Sequence, residues 1–191
     1  MRAKRVLIGC EFSGAMRRAF RALGHNAWSC DIIDAEDNSR HHLKMDVREA
    51  LLLRHWDLFI VHPPCTYLAV SGARWFADKG RHQKQVEALD FVRDCLSAPV
   101  KQIALENPIS VISTHIRKPD QIIQPWQFGH GEVKATCWWL KNLPPLTPTD
   151  IVAGRTPRVH YMGGRHRAKE RSRTYSGIAA AAAAQWGGYV K

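Results

Sequence analysis

The chain has 191 residues, with 28 lysines and arginines against 17 aspartates and glutamates, a formal charge of +11 and a pI near 9.8. At 45% apolar and 24% charged, with 13 glycines and 10 prolines, it is neither a disordered nor a collagen-like chain, and its length suits one domain. The cation excess favours an anionic partner, nucleic acid first and free nucleotides second, because clustered Lys and Arg attract phosphate and release counterions on contact.

Short apolar runs alternate with helical patterns over the first hundred residues, which predicts an α/β chain with a mostly parallel sheet. Residues 5–9 read as a buried strand, and Glu11-Phe12-Ser13-Gly14 as a turn. A helix over 15–23 carries Met16, Ala19, Phe20 and Leu23 on one face, and Gly24 stops it. A second strand over 26–33 brings Asp31 to its end, and 43–47 is a third strand candidate. The clearest strand, 56–61, ends at His62-Pro63-Pro64-Cys65, where two prolines force the chain out of the sheet. A helix is predicted over 83–96 and a fifth strand over 100–105, leading into a loop at Glu106-Asn107-Pro108. From residue 144 a basic loop follows, with Arg155, Arg158, Arg165, Arg167, Lys169, Arg171 and Arg173. A closing helix over 178–186 contains six consecutive alanines, of very high helix propensity.

The five cysteines form no CxxC pair or Cys/His cluster, so neither a zinc site nor a disulfide framework is indicated and a reducing cytoplasm is expected. No apolar stretch reaches the length of a membrane span, and no signal peptide is recognised. A soluble protein, with no membrane or metal partner, is the expectation.

Three loops are predicted to meet at the carboxyl edge of the sheet, where ligands bind in open α/β folds. Gly14 lets a ligand approach the start of the first helix, although the spacing is not that of a dinucleotide fingerprint. Cys65, behind two prolines, has the setting of a nucleophile with a lowered pKa. Glu106, at the end of a buried strand, has that of a proton donor with a raised pKa. A structural cysteine and a loop-capping carboxylate are the plain alternatives for each alone. Together they suggest a nucleophile and an acid acting on an electron-poor ring.

The order of F-x-G, then P-C in a loop after a strand, then E-N resembles the cytosine C5 methyltransferases that use S-adenosylmethionine, in particular small bacteriophage-type members without a large target recognition domain. The resemblance implies a Rossmann-like class I methyltransferase fold with helices on both sheet faces. It assigns cofactor contacts to Glu11, Phe12, Ser13, Gly14, Asp31, Asp46, Val47 and Pro63. Residues 56–72 are similar to the catalytic block, which makes Cys65 the nucleophile and includes Ser71; Glu106-Asn107-Pro108 is similar to the family's ENV tripeptide. The family's Q-x-R-x-R block is absent as such, its place taken by Lys134 and Thr136, and 171–187 is similar to the closing segment. Substrate contacts then fall on Ser71, Asn107, Lys134, Thr136, Arg171 and Arg173.

By the same resemblance, residues 1–142 form the catalytic core, 143–173 a basic loop in place of a recognition domain, and 174–191 a helix completing the core. The implied partner is duplex DNA with a flipped cytosine, in the cytoplasm of a bacterial or phage-infected cell. A free cytosine nucleotide is an alternative substrate. His62-Pro63-Pro64 is also similar to the loop of enzymes that methylate exocyclic nitrogens, but those place an aromatic residue where Cys65 stands, and here the aromatic comes only at Tyr67. A catalytically idle fold that binds nucleic acid is the reading from another class. Trp126, Trp138 and Trp139 serve either the core or base stacking.

Overall fold

The computed structural model describes residues 2–71, 79–158 and 167–189. Seven strands form one sheet in the order β3-β2-β1-β4-β5-β7-β6. β1 (Arg5–Gly9), β2 (Asn26–Asp31), β3 (His42–Lys44), β4 (Leu58–Val61) and β5 (Gln102–Pro108) are parallel, while β7 (Thr136–Lys141) runs antiparallel to both β5 and β6 (Gln121–Ile123).

The central parallel strands β1, after Arg5, and β4 are apolar and buried because both sheet faces are covered there. Val6, Ile8, Leu58 and Ile60 share a core with α1 (Ala15–Ala22) and the closing helix α6 (Ser176–Gly187). Leu7, Phe59, Val61 and Leu105 point the other way, into a core with α2 (Val47–Leu52), α3 (Lys79–Ser97) and the short α4 (Ile112–His115). The alanine run has a packing reason: Ala179, Ala181, Ala182 and Ala183 are buried, so α6 lies close against its neighbours. Gly177 at its start meets the Phe128 carbonyl so closely that a Cβ would stand 1.8 Å from the oxygen. Lys4 Nζ fastens the far end by donating to the carbonyls of Trp186 (2.9 Å) and Tyr189 (2.5 Å).

Several expectations change, beginning with the second strand, which ends at Asp31 rather than 33. The third strand is His42–Lys44 and does not reach Val47, because Asp46 accepts a hydrogen bond from the Arg48 N–H (2.8 Å) and starts α2. The helix expected over 83–96 begins four residues earlier, at Lys79. Glu106-Asn107-Pro108 is not a loop: β7 pairs with it, Glu106 opposite Trp138 and Pro108 opposite Thr136, and so extends β5 past residue 105. β6 and β7 themselves were not foreseen. Trp138 and Trp139 sit on β7, both fully buried and on opposite faces, which settles them as core.

The described parts of the basic segment are also more ordered than a loop. Leu146 and Gln121 exchange hydrogen bonds of 2.7 Å, Gly129 N–H donates to Asp150 O and Thr156 N–H to Gly131 O, and Arg167–Ser172 forms a short helix, α5. Arg165 lies outside the described residues.

Candidate active site at the carboxyl edge

The loop carrying Cys65 is braced from the end of β5. Asn107 is buried and its Nδ2 donates to the Pro63 carbonyl (2.8 Å), while Val111 N–H donates to Leu68 O and Val70 N–H to Ile109 O. Cys65 then opens a single 3-10 turn, Cys65–Tyr67, as an exposed residue. Asn107 therefore positions the loop, and its Oδ1 has no partner among the described residues.

Glu106, on β5, faces this loop and is joined to His62, the residue between β4 and the prolines. His62 Nδ1 and Glu106 Oε2 are 3.0 Å apart, with side chains 7% and 18% exposed. Burial alone would keep Glu106 protonated, but the His62 hydrogen bond and charge, with Lys134 beyond, outweigh it and hold the carboxyl below its usual range. The expected raised carboxyl is thus corrected, because the sequence hid its basic partner. The Cys65 thiol is shifted opposite to expectation as well. Partial desolvation and the neighbouring Glu106 charge push it up, against the opposing pull of Arg171 and Lys134. A thiolate here depends on those two cations rather than on the turn.

The cofactor residues expected along the same edge are brought together, in different roles. Gly14 is left-handed (φ 68°) and has no side chain with which to cap α1. Glu11 caps it instead, accepting from Met16 N–H (2.6 Å) and Arg17 N–H (3.3 Å); its carboxyl is raised by burial, with His62 the main opposing influence. Phe12 and Ser13 are buried beside it, with Lys169 of α5 over the Phe12 ring at 5.3 Å. Asp31 ends β2 with its carboxyl raised by burial, accepting from Ile33 N–H (3.3 Å), next to the exposed side chains of Ile32 and Ile33. Asp46 caps α2 and pairs with Arg48 while its side chain stays 33% exposed, and Val47 is buried in the core. Pro63 is buried with its carbonyl taken by Asn107.

On the other side of Glu106, Lys134 donates from Nζ to the Arg171 carbonyl (2.7 Å), Thr136 is buried with its hydroxyl on the Lys134 carbonyl, and Arg171 lies close enough to act on Cys65. Arg173 is occupied by Glu36 and Glu170. A cavity of about 230 Å³ opens here, lined by Lys134, Arg158, Arg171, Arg173 and Tyr175 among others, and a narrower recess leads from it to Glu106 and Thr136. Ser71 is exposed at the end of a described segment, with no described contact to Cys65 or Glu106. Tyr67 lies under the cations of Arg81 (5.2 Å) and Lys84 (5.6 Å) of α3, which is not the free face that stacking on a base requires.

Sequence reasoning missed His62 and Tyr175. His62 carried one signal, an ionisable residue continuing a fully apolar strand at a ligand-binding edge. Tyr175, whose hydroxyl donates to Glu132 (2.7 Å), carried none.

No protein-family model and no curated protein matches the sequence. Solved structures do. The methyltransferase EhMeth of Entamoeba histolytica superposes with a TM-score of 0.52 at 16% identity, over 86% of this chain and 61% of that one. This chain has a Rossmann-like class I methyltransferase fold. The Dnmt2 methyltransferase of S. pombe (TM-score 0.45, 15% identity, 82% and 53% covered) and an rRNA methylase from Escherichia coli (0.43, 13%, 73% and 57%) are more distant. The chain thus spans between about half and three fifths of the length of these structures. Among the described residues, no helix is long and apolar enough to cross a membrane and no cluster suits a metal ion.

Proposed function

We propose that this chain transfers a methyl group from S-adenosylmethionine to C5 of cytosine in DNA, through a covalent adduct on Cys65. The observation that carries the reading is the proximity of Cys65 and Glu106, close enough for the Glu106 charge to act on the thiol, with Lys134 acting on both and Arg171 on Cys65. Cytosine C5 is a poor nucleophile. Addition of a thiolate to C6, with a proton delivered to N3, turns it into an enamine carbon able to take a methyl group.

The residues fit the methyl donor in part. Asp31 has a carboxylate for ribose hydroxyls and Ile32 and Ile33 offer exposed apolar surface beside it, whereas the space at Gly14 is taken by the Arg17 and Arg18 guanidinium groups. When bound, the donor supplies an electrophilic methyl group. The protein's own part is to hold the thiolate at C6 with the charges of Arg171 and Lys134, to place Glu106 at N3, and to keep the Cys65 loop rigid through Asn107. Once solvent water has taken the C5 proton, the C5=C6 bond re-forms, Cys65 leaves as thiolate and N3 returns its proton. The cavity cations, with residues 143–173 in place of a recognition domain, would hold the flanking phosphates.

The test is incubation with tritiated S-adenosylmethionine and mixed-sequence duplex DNA or dCMP, followed by nucleoside identification, with Cys65→Ser as control. Label as 5-methylcytosine in DNA that vanishes with the substitution is expected. Label only in dCMP would move the substrate to nucleotides, N4-methylcytosine would remove Cys65 from its role, and no cofactor binding would make the fold an idle one.

A further inference from the structure

His62 is a costly residue where it stands. Its ring follows the fully buried β4, packs edge-on against Trp138 (centroids 6.2 Å apart), and leaves Nε2 buried without a partner among the described residues. A side chain kept only to complete the core would be apolar, and one kept only to satisfy Glu106 would not need a second, stranded nitrogen. Its ring is bonded to Glu106 on β5 and lies close enough to Glu11, in the loop after β1, to act on that buried carboxyl as well.

The proposed reaction needs a proton at N3, and Glu106 is held in the ionised form that has none to give. We infer that His62 is a positioning residue that stores this proton, so that the His62–Glu106 pair, not the carboxyl alone, is the acid of the active site. This rests on the methyl-transfer reading above. In the loaded pair the imidazolium donates through Nδ1 to Glu106 Oε2. As Cys65 Sγ bonds to C6, the C5=C6 electron pair shifts toward N3, N3 takes a proton from Glu106, and Glu106 takes the Nδ1 proton, leaving neutral imidazole. When the C5 proton has gone and the C6–S bond breaks, the N3 proton returns along the same path, so nothing is consumed. The other ionisable groups facing the pair are Glu11, Cys65, Lys134 and Cys137, with Arg173 and Tyr175 lining the same recess as Glu106.

His62→Gln separates storage from support, because a glutamine amide can still donate to Glu106 but cannot give up a proton. The expected result is a kcat about 100-fold lower with KM within about threefold. Activity should move toward acid pH, where Glu106 must carry the proton itself. His62→Ala should recover part of its rate with added imidazole. Wild-type kcat with an unchanged pH profile in His62→Gln would overturn the proposal. A readout independent of turnover is the hydrogen-bonded imidazole N–H proton in the 15N-filtered NMR spectrum of the wild-type chain, expected to be absent from His62→Gln and shifted in Glu106→Gln. If that proton shows the coupling but no cytosine is methylated, the reaction assigned above fails and the pair stands. If cytosine is methylated but Glu106→Gln leaves the proton unmoved, the pair fails and the reaction stands.

Discussion

The two sides of the carboxyl edge are held in different ways. On the Glu11–Cys65 side, the loops are fixed by backbone bonds and buried polar groups: Glu11 on the first turn of α1, Asn107 on Pro63, and Arg17, 1% exposed, on Ser29 and Asp37. On the substrate side, the basic segment is held by part-exposed ion pairs, Arg158 to Glu132, and Lys169 and Arg173 to Glu36. Buried bonds keep one geometry, because breaking them strands a polar group away from water. Exposed ion pairs contribute little and weaken with salt, and each can be exchanged for a phosphate at small cost. The difference sets a rigidly bonded candidate site beside a cationic flank whose carboxylate partners an anion could replace.

The largest expected effects break the chemical centre without touching the flank. Cys65→Ser should lower methyl transfer by at least about 1000-fold, and Glu106→Gln by about 100- to 1000-fold, while DNA binding, read by fluorescence anisotropy, stays near wild type. A parallel loss of binding would show that the two sides are one unit. Next, Asp37→Ala tests the rigid side, since it removes the main ionic partner of buried Arg17. A loss of about 3 kcal/mol is expected, seen as a fall in Tm of about 6–12 °C. A shift under 1 °C would show that water or Ser29 suffices for the guanidinium.

On the flank, Arg171→Ala should weaken DNA binding about tenfold and reduce the salt slope of log Kd by about 1, across all sequences alike. A change in sequence preference instead would assign Arg171 to the base. The smallest effect concerns pH. Glu36 and Glu132 are partly shielded, which opposes ionisation, but their bonds to Arg173, Lys169, Arg158 and Tyr175 hold both carboxyls below the ordinary 4.5. Their stabilisation is present above that pH and is lost as pH falls through the lower, folded-state values. Acid should therefore free the basic segment before the core unfolds, detectable as faster hydrogen exchange over 167–175 while β1 and β4 remain protected.

How far these features were legible in the residues varies by element. β1 and α1 were readable because their signals are local: an uninterrupted apolar run, and an apolar face ended by Gly24. Cys65 and Glu106 were readable as a pair through their order along the chain. The end of β5 was not, because Glu106-Asn107-Pro108 looks like a loop until β7, thirty residues on, pairs with it. β7 was hidden because its paired tryptophans fit several roles until both sheet faces are known to be covered.

The amino-acid sequence by itself determined the α/β class, the parallel core and the placing of Cys65 and Glu106 after neighbouring strands, since hydrophobic periodicity and proline placement act within a few residues. Only the tertiary structure decided the charge state of the site. His62 is distant in sequence from Glu106, Glu11 and Lys134, and desolvation and Coulomb attraction act through space on groups that the chain order leaves unrelated.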